Sequence, residues 1–323
     1  MAKDDSIRSS ITIGALKAGE VDEADRIMRV AFGTFLAAPN PEEFMGDREF
    51  MRPRVRSAHV KAIAARDGGR LIGTNLVTQW GSFGFFGPLT VVPEYWDRGV
   101  AQRLLEATLK VFDGWGVRHS GLFTFAQSAK HVGLYQKFGY WPQHLTAVLM
   151  RVPQAGLAEV ALLSHRKKAA REEAIARCAQ LTDRISKGLG LTAEIRAALA
   201  QGIGDVVLLE QRGPDRRGGV DGFAVCMTGA GSEGGEEVCY VKFGAVRGGP
   251  GAAERFDRLM DGCESFAAER GAAVEAGVNM ARGEAFCHLR GRGYRVTTQG
   301  VAMQRPHVEG YNRPHCWVID DWR

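Results

Sequence analysis

The chain has 323 residues, 45% of them hydrophobic, and its 42 lysines and arginines against 37 aspartates and glutamates give a net charge of +5. That length suggests two domains of about 150 residues, each able to bury a core, while so mild a charge excludes a chain devoted to nucleic acid. Cys178, Cys226, Cys239, Cys263, Cys287 and Cys316 show no Cys-x-x-Cys spacing, no apolar run is long enough to span a bilayer, and MAKDDSIRSS is not a signal peptide. A metal site, a disulfide framework and a membrane anchor are therefore not expected, and the cytoplasm is the default compartment.

SITIGAL reads as a first strand. VDEADRIMRVAFGTF follows as an amphipathic helix, because Ala24, Ile27, Met28, Ala31, Phe32 and Phe35 share one side. FMGDREFMRPRVR, from Phe44 to Arg56, has the composition of a mobile lid whose Arg52, Arg54 and Arg56 would hold an anionic group of a ligand. VKAIAAR and RLIGTNLVT are strands joined by a tight Asp67, Gly68, Gly69 turn. A long strand runs from Phe86 to Val92, and Gly99 opens a helix with Ala101, Leu104, Leu105, Thr108 and Phe112 on one face. HSGLFTF, a helix through Tyr135 and the strand TAVLMRV complete a mixed α/β order with a central sheet and crossover helices.

The stretch LTVVPEYWDRGVA carries the most chemistry. Its β-type residues stop at Pro93, and Gly99 then starts a helix whose first amides have no partner within the helix. Those amides and the positive end of the helix dipole attract phosphate oxygens. Neither Gly99 nor Ala101 has a side chain large enough to block them. An ordinary strand-to-helix turn is the competing explanation.

With Val91, Pro93, Gly99 and Ala101 in place, this stretch resembles the pyrophosphate loop of the GCN5-related N-acetyltransferase (GNAT) family, Gln/Arg-x-x-Gly-x-Gly/Ala after a strand ending Val-x-Pro. Trp96 stands where the family has Gln or Arg. Downstream, SAKHVGLYQKFGYWP is similar to the second family signature, Asn-x-x-Ala-x-x-Leu-Tyr-x-Lys-x-Gly-Phe. Leu134, Tyr135, Lys137 and Gly139 are in register, and Ser128, His131 and Tyr140 replace its Asn, Ala and Phe. The resemblance implies an acetyl coenzyme A-dependent enzyme that transfers an acetyl group directly to an amine. It implies a cofactor site of Leu89, Thr90 and Val91 on the strand, Asp97, Arg98, Gly99, Val100 and Ala101 in the loop, and Ser128 and Tyr135 on the next helix. The Val91 amide would bond the thioester oxygen. Tyr135 inherits the role of general acid toward the thiolate, although a thiol of pKa about 8.5 leaves more easily than a phenol of about 10 gives up its proton. Orienting the sulfur is its milder role, and a core tyrosine the bland alternative. No base is evident. SFGFFGPLTVV has no ionisable side chain, Glu94, His119 and His131 are the nearest candidates, each with a surface or structural explanation, and a water chain serves equally.

The pattern then starts again. EVALLS, a helix from about Ala174 to Ile185, the helix TAEIRAALA, DVVLLEQ and VDGFAVCM repeat the strand, helix, strand, strand order. EVCYVKFGAV, a helix from Gly251 to about Arg270, AAVEAGV, a helix around Phe286 and GVAMQR complete it. Gly99 and Gly251 lie 152 positions apart, and Gly139-Tyr140 and Gly293-Tyr294 lie 154 apart. Such offsets point to a tandem duplication, with domains at 1–152 and 153–306 and a tail at 307–323; an unrelated second α/β domain is the alternative. The second copy looks catalytically retired. Pro250 offers no amide hydrogen, the loop from Val246 to Gly251 is shorter than that from Val91 to Gly99, and Leu289 stands in the place of Tyr135. Cofactor binding by both copies, one of them silent, is the competing possibility.

In the two-acetyltransferase unit of the enhanced-intracellular-survival proteins, the C-terminal carboxylate reaches the first active site. By that resemblance Asp320, Asp321 and the Arg323 carboxylate of the tail GYNRPHCWVIDDWR are candidates near Tyr135, against simple packing at the domain interface. Trp80, Phe83, Phe85 and Phe86 with Phe32 and Phe35 either favour a small-molecule amine acceptor with an apolar or planar part or fill the core. SHRKKAAREEAIAR and GPDRRGGVDG read as solvated surface, and no oligomer is indicated. A non-catalytic acyl coenzyme A sensor and a GNAT-fold interaction protein, its Trp96 filling the phosphate site, remain the other classes.

Overall fold

The chain begins as a meander on one edge of a sheet. In the computed structural model, which describes residues 10–154, 159–211 and 219–323, Ile11–Ala15 (β1) pairs antiparallel with Val60–Asp67 (β2), and β2 turns into Arg70–Trp80 (β3). Gly68 and Gly69 take φ of 55° and 90° there, the left-handed region that glycine enters without a Cβ clash. Val21–Phe35 (α1) and the short Met51–Val55 (α2) lie between β1 and β2. Phe83–Val91 (β4), Val100–Gly114 (α3), His119–Thr124 (β5), Ala129–Gln136 (α4) and Trp141–Arg151 (β6) follow. The expected face of α3 is the buried one, with Leu104, Leu105, Thr108 and Phe112 inside.

The second half repeats this order. Ala161–Leu162 (β7), all that EVALLS contributes as strand, precedes Lys168–Ile185 (α5), Thr192–Gln201 (α6), Gly204–Glu210 (β8) and Val220–Gly229 (β9). Gly235–Val246 (β10), Ala252–Ala268 (α7), Ala273–Asn279 (β11), Gly283–Gly291 (α8) and Arg295–Arg305 (β12) follow, and the tail adds Val318–Ile319 (β13). Most of GPDRRGGVDG and all but the last residue of MAKDDSIRSS lie outside the described residues.

One mixed sheet runs through both halves in the order β1-β2-β3-β4-β5-β12-β6-β11-β10-β9-β8-β7, with β13 beside β10. Chain order alone would set β6 beside β5 and β12 beside β11. Instead the last strand of each half is inserted into the other: β12 pairs with β5, β6 pairs with β11, and the two exchanged strands pair with each other. The register carries the duplication. Thr124↔Val301 and Val278↔Ala147 are equivalent pairs 154 positions apart (278 − 124 and 301 − 147), and Thr146 faces Gly300, also 154 apart (300 − 146), where the exchanged strands cross a local twofold axis.

Packing follows the exchange. Ala147 and Leu149 of β6 are buried in the core of the second half, and Val301 and Met303 of β12 in that of the first. Each such Leu or Met contributes roughly 1.5–3 kcal/mol by leaving water. A third core joins the halves: Trp80, Phe83 and Phe85 pack among Ile175, Leu181, Ile195, Phe223 and Phe243 of the second half. These three aromatics are therefore interior packing rather than the acceptor wall that their spacing allowed, and Phe86 packs inside the first half.

Buried charges cross the same interface. Arg54 pairs with Glu233 at 2.6 Å, Lys242 bridges Glu233 and Glu194, and Glu194 also accepts from Trp80 Nε1 and meets His59 Nε2, both at 2.9 Å. Burial opposes ionisation of Glu233, but Arg54 and Lys242 outweigh it and hold its pKa below the ordinary value. Phe44 to Arg56 is thus a folded turn and helix rather than a lid, and two of the three arginines expected to hold an anion are paired within the chain, Arg54 to Glu233 and Arg52 to Glu49 and Asp22. Removing one partner of a buried pair costs about 3–5 kcal/mol. Arg54→Met should lower stability by that order in chemical denaturation; a loss below about 1 kcal/mol would show that Lys242 alone satisfies Glu233.

Candidate functional site

Two parallel strands separate where the site forms. β4 and β5 pair only at Phe83↔His119, Gly84↔Ser120 and Phe85↔Gly121. On its other edge β4 shifts register against β3 between Leu89↔Asn75 and Phe86↔Val77, so one extra residue is accommodated around Gly87 and Pro88. Such a bulge bends its strand, and β4 continues to Val91 without β5. Val92 N donates to Ile72 O at 2.9 Å. Because bonded and non-bonded pairs alternate along an antiparallel ladder, Leu89 and Val91 turn their amides away from β3 and into the gap.

The gap opens into a cleft of about 690 Å³. Leu89, Thr90 and Val91 line one wall, Asp97, Gly99, Val100 and Ala101 the mouth, and Lys130, His131, Leu134 and Tyr135 of the α4 segment the opposite side. Phe32 and Phe35 of α1 and Phe125 beyond β5 close over it. Eight of the ten residues singled out in the sequence thus meet in one place, Leu89, Thr90, Val91, Asp97, Gly99, Val100, Ala101 and Tyr135. Arg98 and Ser128 are not among the lining groups: the Arg98 guanidinium sits 5.1 Å over the Tyr95 ring, and Ser128 caps α4 by accepting from His131 N at 3.4 Å. Phe125, Lys130 and Gln102 line the cleft without having been singled out, because strand alternation and helical period do not tell which end of an element faces a gap.

The loop geometry follows from its residues. Pro93–Tyr95 makes a single 3-10 turn, then Asp97 and Gly99 take φ of 62° and 77° and swing the chain into α3. No side chain caps that helix, so its first amides are left at the cleft mouth. Trp96 does not fill the site. Its indole nitrogen donates to Val91 O at 2.7 Å, fastening the loop to the end of β4, while Lys130 lies 5.9 Å over its ring and pairs with Asp97 at 2.7 Å.

Tyr135 is buried, with its ring 5.8 Å from that of Phe86. Burial pushes its phenol up to about 12, against a smaller opposing hydrogen bond from Thr124, so it stays protonated at neutral pH. Of the three candidate bases, Glu94 is exposed and paired with Arg70, and His119 is buried against Phe83 and hydrogen-bonded to Gln304 at 3.1 Å. His131 alone of the three lines the cleft, its ring 4.8 Å from Phe35. Burial, and then the charge of Lys130, push its pKa below the ordinary value, and its Nδ1 has no hydrogen-bond partner.

The tail ends at the vertex of the gap. Trp322 packs on Gly121, where an added Cβ would lie 2.2 Å from the indole. Arg54 donates to both Gly87 O of β4, at 2.8 Å, and the Arg323 main-chain oxygen, at 2.7 Å. Asp320 and Asp321 instead accept from Tyr311 and Tyr240, at 2.6 and 2.8 Å. In the second half the corresponding loop is built differently. Arg255 donates to the carbonyls of Arg247, Gly248 and Pro250, at 2.9, 3.0 and 3.0 Å, so that loop engages an internal cation through its oxygens. Leu289 is fully buried there.

Residues 25–140 match the family model for acetyltransferases of the GNAT family. The chain carries a GNAT acetyltransferase domain. Along most of its length it is similar to a Pyrococcus horikoshii protein assigned provisionally as an acetyltransferase, at 14% identity over 97% of this chain and 95% of that one, with a TM-score of 0.64. It is also similar to a tandem GNAT protein from the clavulanic acid biosynthesis pathway (12% identity, 91% and 98% covered, TM-score 0.55) and to a GCN5-related N-acetyltransferase from Sphaerobacter thermophilus (14%, 92% and 95%, 0.54). At such identities the likeness speaks for a tandem GNAT-like fold and not for a substrate. No curated protein matches the sequence. Within this GNAT domain Trp96→Phe removes one hydrogen bond to Val91 and should cost about 0.5–1.5 kcal/mol in chemical denaturation; an unchanged midpoint would mean that the loop is held by other contacts.

Proposed function

We propose that this GNAT protein is an N-acetyltransferase that uses acetyl coenzyme A to acetylate the amine of a small-molecule acceptor, with catalysis in the first half. The observation that carries this is the gap between β4 and β5, with free strand amides along one side, an uncapped helix start at its mouth and a protonated tyrosine in its wall. These groups fit acetyl coenzyme A: Leu89 and Val91 would bond an extended pantetheine arm, and the first amides of α3 would meet the pyrophosphate. Once bound, that molecule supplies an acetyl group activated as a thioester.

The chain's own residues do the rest. One of these strand amides, that of Val91 or of Leu89, would bond the thioester oxygen as negative charge develops on it. Tyr135 holds its proton at neutral pH and can orient or protonate a departing sulfur. Phe32, Phe35 and Phe125 wall the cleft against water and favour an acceptor with an apolar part. The neutral His131 imidazole is the group in the cleft suited to take a proton from the acceptor. The second half, with Pro250 in its loop, Arg255 on the loop carbonyls and Leu289 in place of a tyrosine, supports the first without a second cofactor site.

Calorimetric titration with acetyl coenzyme A should give micromolar binding at about one per chain, weakened at least tenfold by Ala101→Glu, which sets a carboxylate at the uncapped amides. No binding would remove the transferase assignment, and binding without thiol release for any amine would leave a sensor. Tyr135→Phe should retain binding and lower kcat by about 10²-fold; unchanged turnover would make it a packing residue. The acceptor amine must be neutral, so log(kcat/KM) rises with pH at a slope of one. His131 adds a second unit of slope below its depressed pKa, and His131→Gln should abolish that steepening. If the wild-type profile already lacks it, water is the proton acceptor.

A further inference from the structure

The second half contains a gap like the first. β10 and β11 pair in parallel only from Val238↔Ala273 to Val241↔Ala276, and β10 runs on to Val246. Here the chain itself enters. β13 lies antiparallel to β10 at Gly244↔Ile319 and Ala245↔Val318, and Asp320 bridges in parallel to Val278 of β11. We propose that this gap is a strand-accepting groove for an extended peptide, and that its ligand is the chain's own segment 317–321, lying where the first half leaves room for a cofactor arm. The proposal concerns the second half alone and stands whether or not the first half is a transferase.

Recognition comes first from the main chain. Val246 N donates to Trp317 O at 3.1 Å and Asp320 N to Gly277 O at 2.8 Å, so both walls of the groove bond the segment. The buried Arg282 adds a clamp, donating to Val318 O at 2.9 Å and Asp320 O at 2.7 Å. Backbone bonds of this kind supply affinity for any extended chain, and pockets for the side chains supply selectivity. Trp317 sits 5.3 Å from Phe256 and 4.9 Å from His288, Val318 and Ile319 are fully buried, and Asp321 takes the Tyr240 hydroxyl. Gly277 makes the crossing possible. A Cβ there would lie 2.1 Å from Asp321 Oδ2.

The test starts from the folded, full-length protein. A specific protease site inserted after Val308, in an exposed segment, allows the chain to be nicked while folded. The C-terminal fragment should then co-elute with the body in gel filtration and leave it only at the main melting transition. When the nicked protein is unfolded and refolded with an excess of a labelled synthetic peptide of residues 311–323, the label should replace the native fragment at up to one per chain, and a Val318→Asp version should be taken up at least tenfold more weakly. Loss of the fragment under native conditions, or equal binding of the two peptides, would overturn the proposal. On the intact protein, amide exchange at Ile319 and Asp320 should be as slow as in β10. Exchange at the rate of an unstructured peptide would overturn it equally.

Discussion

A strand with neighbours on both sides cannot be withdrawn without breaking two ladders at once, and this constraint organises the molecule. β12 is held by β5 and β6, and β6 by β12 and β11. Each half therefore completes its sheet with the other's last strand, and each core is finished by borrowed side chains, Leu149 in one and Met303 in the other. The buried network of Arg54, Glu233, Lys242, Glu194 and His59 lies across the same junction. Ionic groups that deep are weak evidence of net stability, since an apolar filling of similar volume would avoid their desolvation, yet removing one partner leaves a buried charge uncompensated.

The cleft depends on that arrangement. β5 parts from β4 beyond Gly121, yet it stays rigid because its other edge is bonded to β12 from Ser120 to Thr124. A gap between two strands would ordinarily expose a frayed edge; here one side is braced by the far half of the chain and the other by β3. The same device recurs between β10 and β11, where β6 braces the outer edge of β11. Identical architecture thus yields an open cleft in one half and, in the other, a groove occupied by the chain's own β13, where Leu289 stands in place of Tyr135 and the loop carbonyls take Arg255.

Local signals were readable in the sequence wherever period or turn chemistry decides the outcome. The buried face of α3, the turn at Gly68 and Gly69, the glycine at the start of α3 and the placement of Tyr135 beside Leu89 to Val91 all follow from short-range pattern and from the family resemblance. The duplication was legible as an offset because both copies keep their glycines. The exchange was not: Ala147 and Val301 alternate identically whichever strand lies beside them, so periodicity is silent about partners. Arg54 suggested a ligand-holding lid because its actual partner, Glu233, is 179 positions away. Trp80, Phe83 and Phe85 fit either a ligand wall or a core, and only the position of the second half distinguishes the two. β13, at two residues, is too short to carry any pattern.

The exchanged strands also bear on how the protein is made. During synthesis β5 emerges long before β12, which begins at Arg295, so the first half waits with one edge of β5 unpaired and Leu122 without its eventual neighbour Met303. An open edge of that kind invites pairing with another nascent chain. The ribosome thus releases a first half that has its helices and turns in hand but not its last ladder, and on crowded polysomes the strand that closes one chain is chemically competent to close its neighbour.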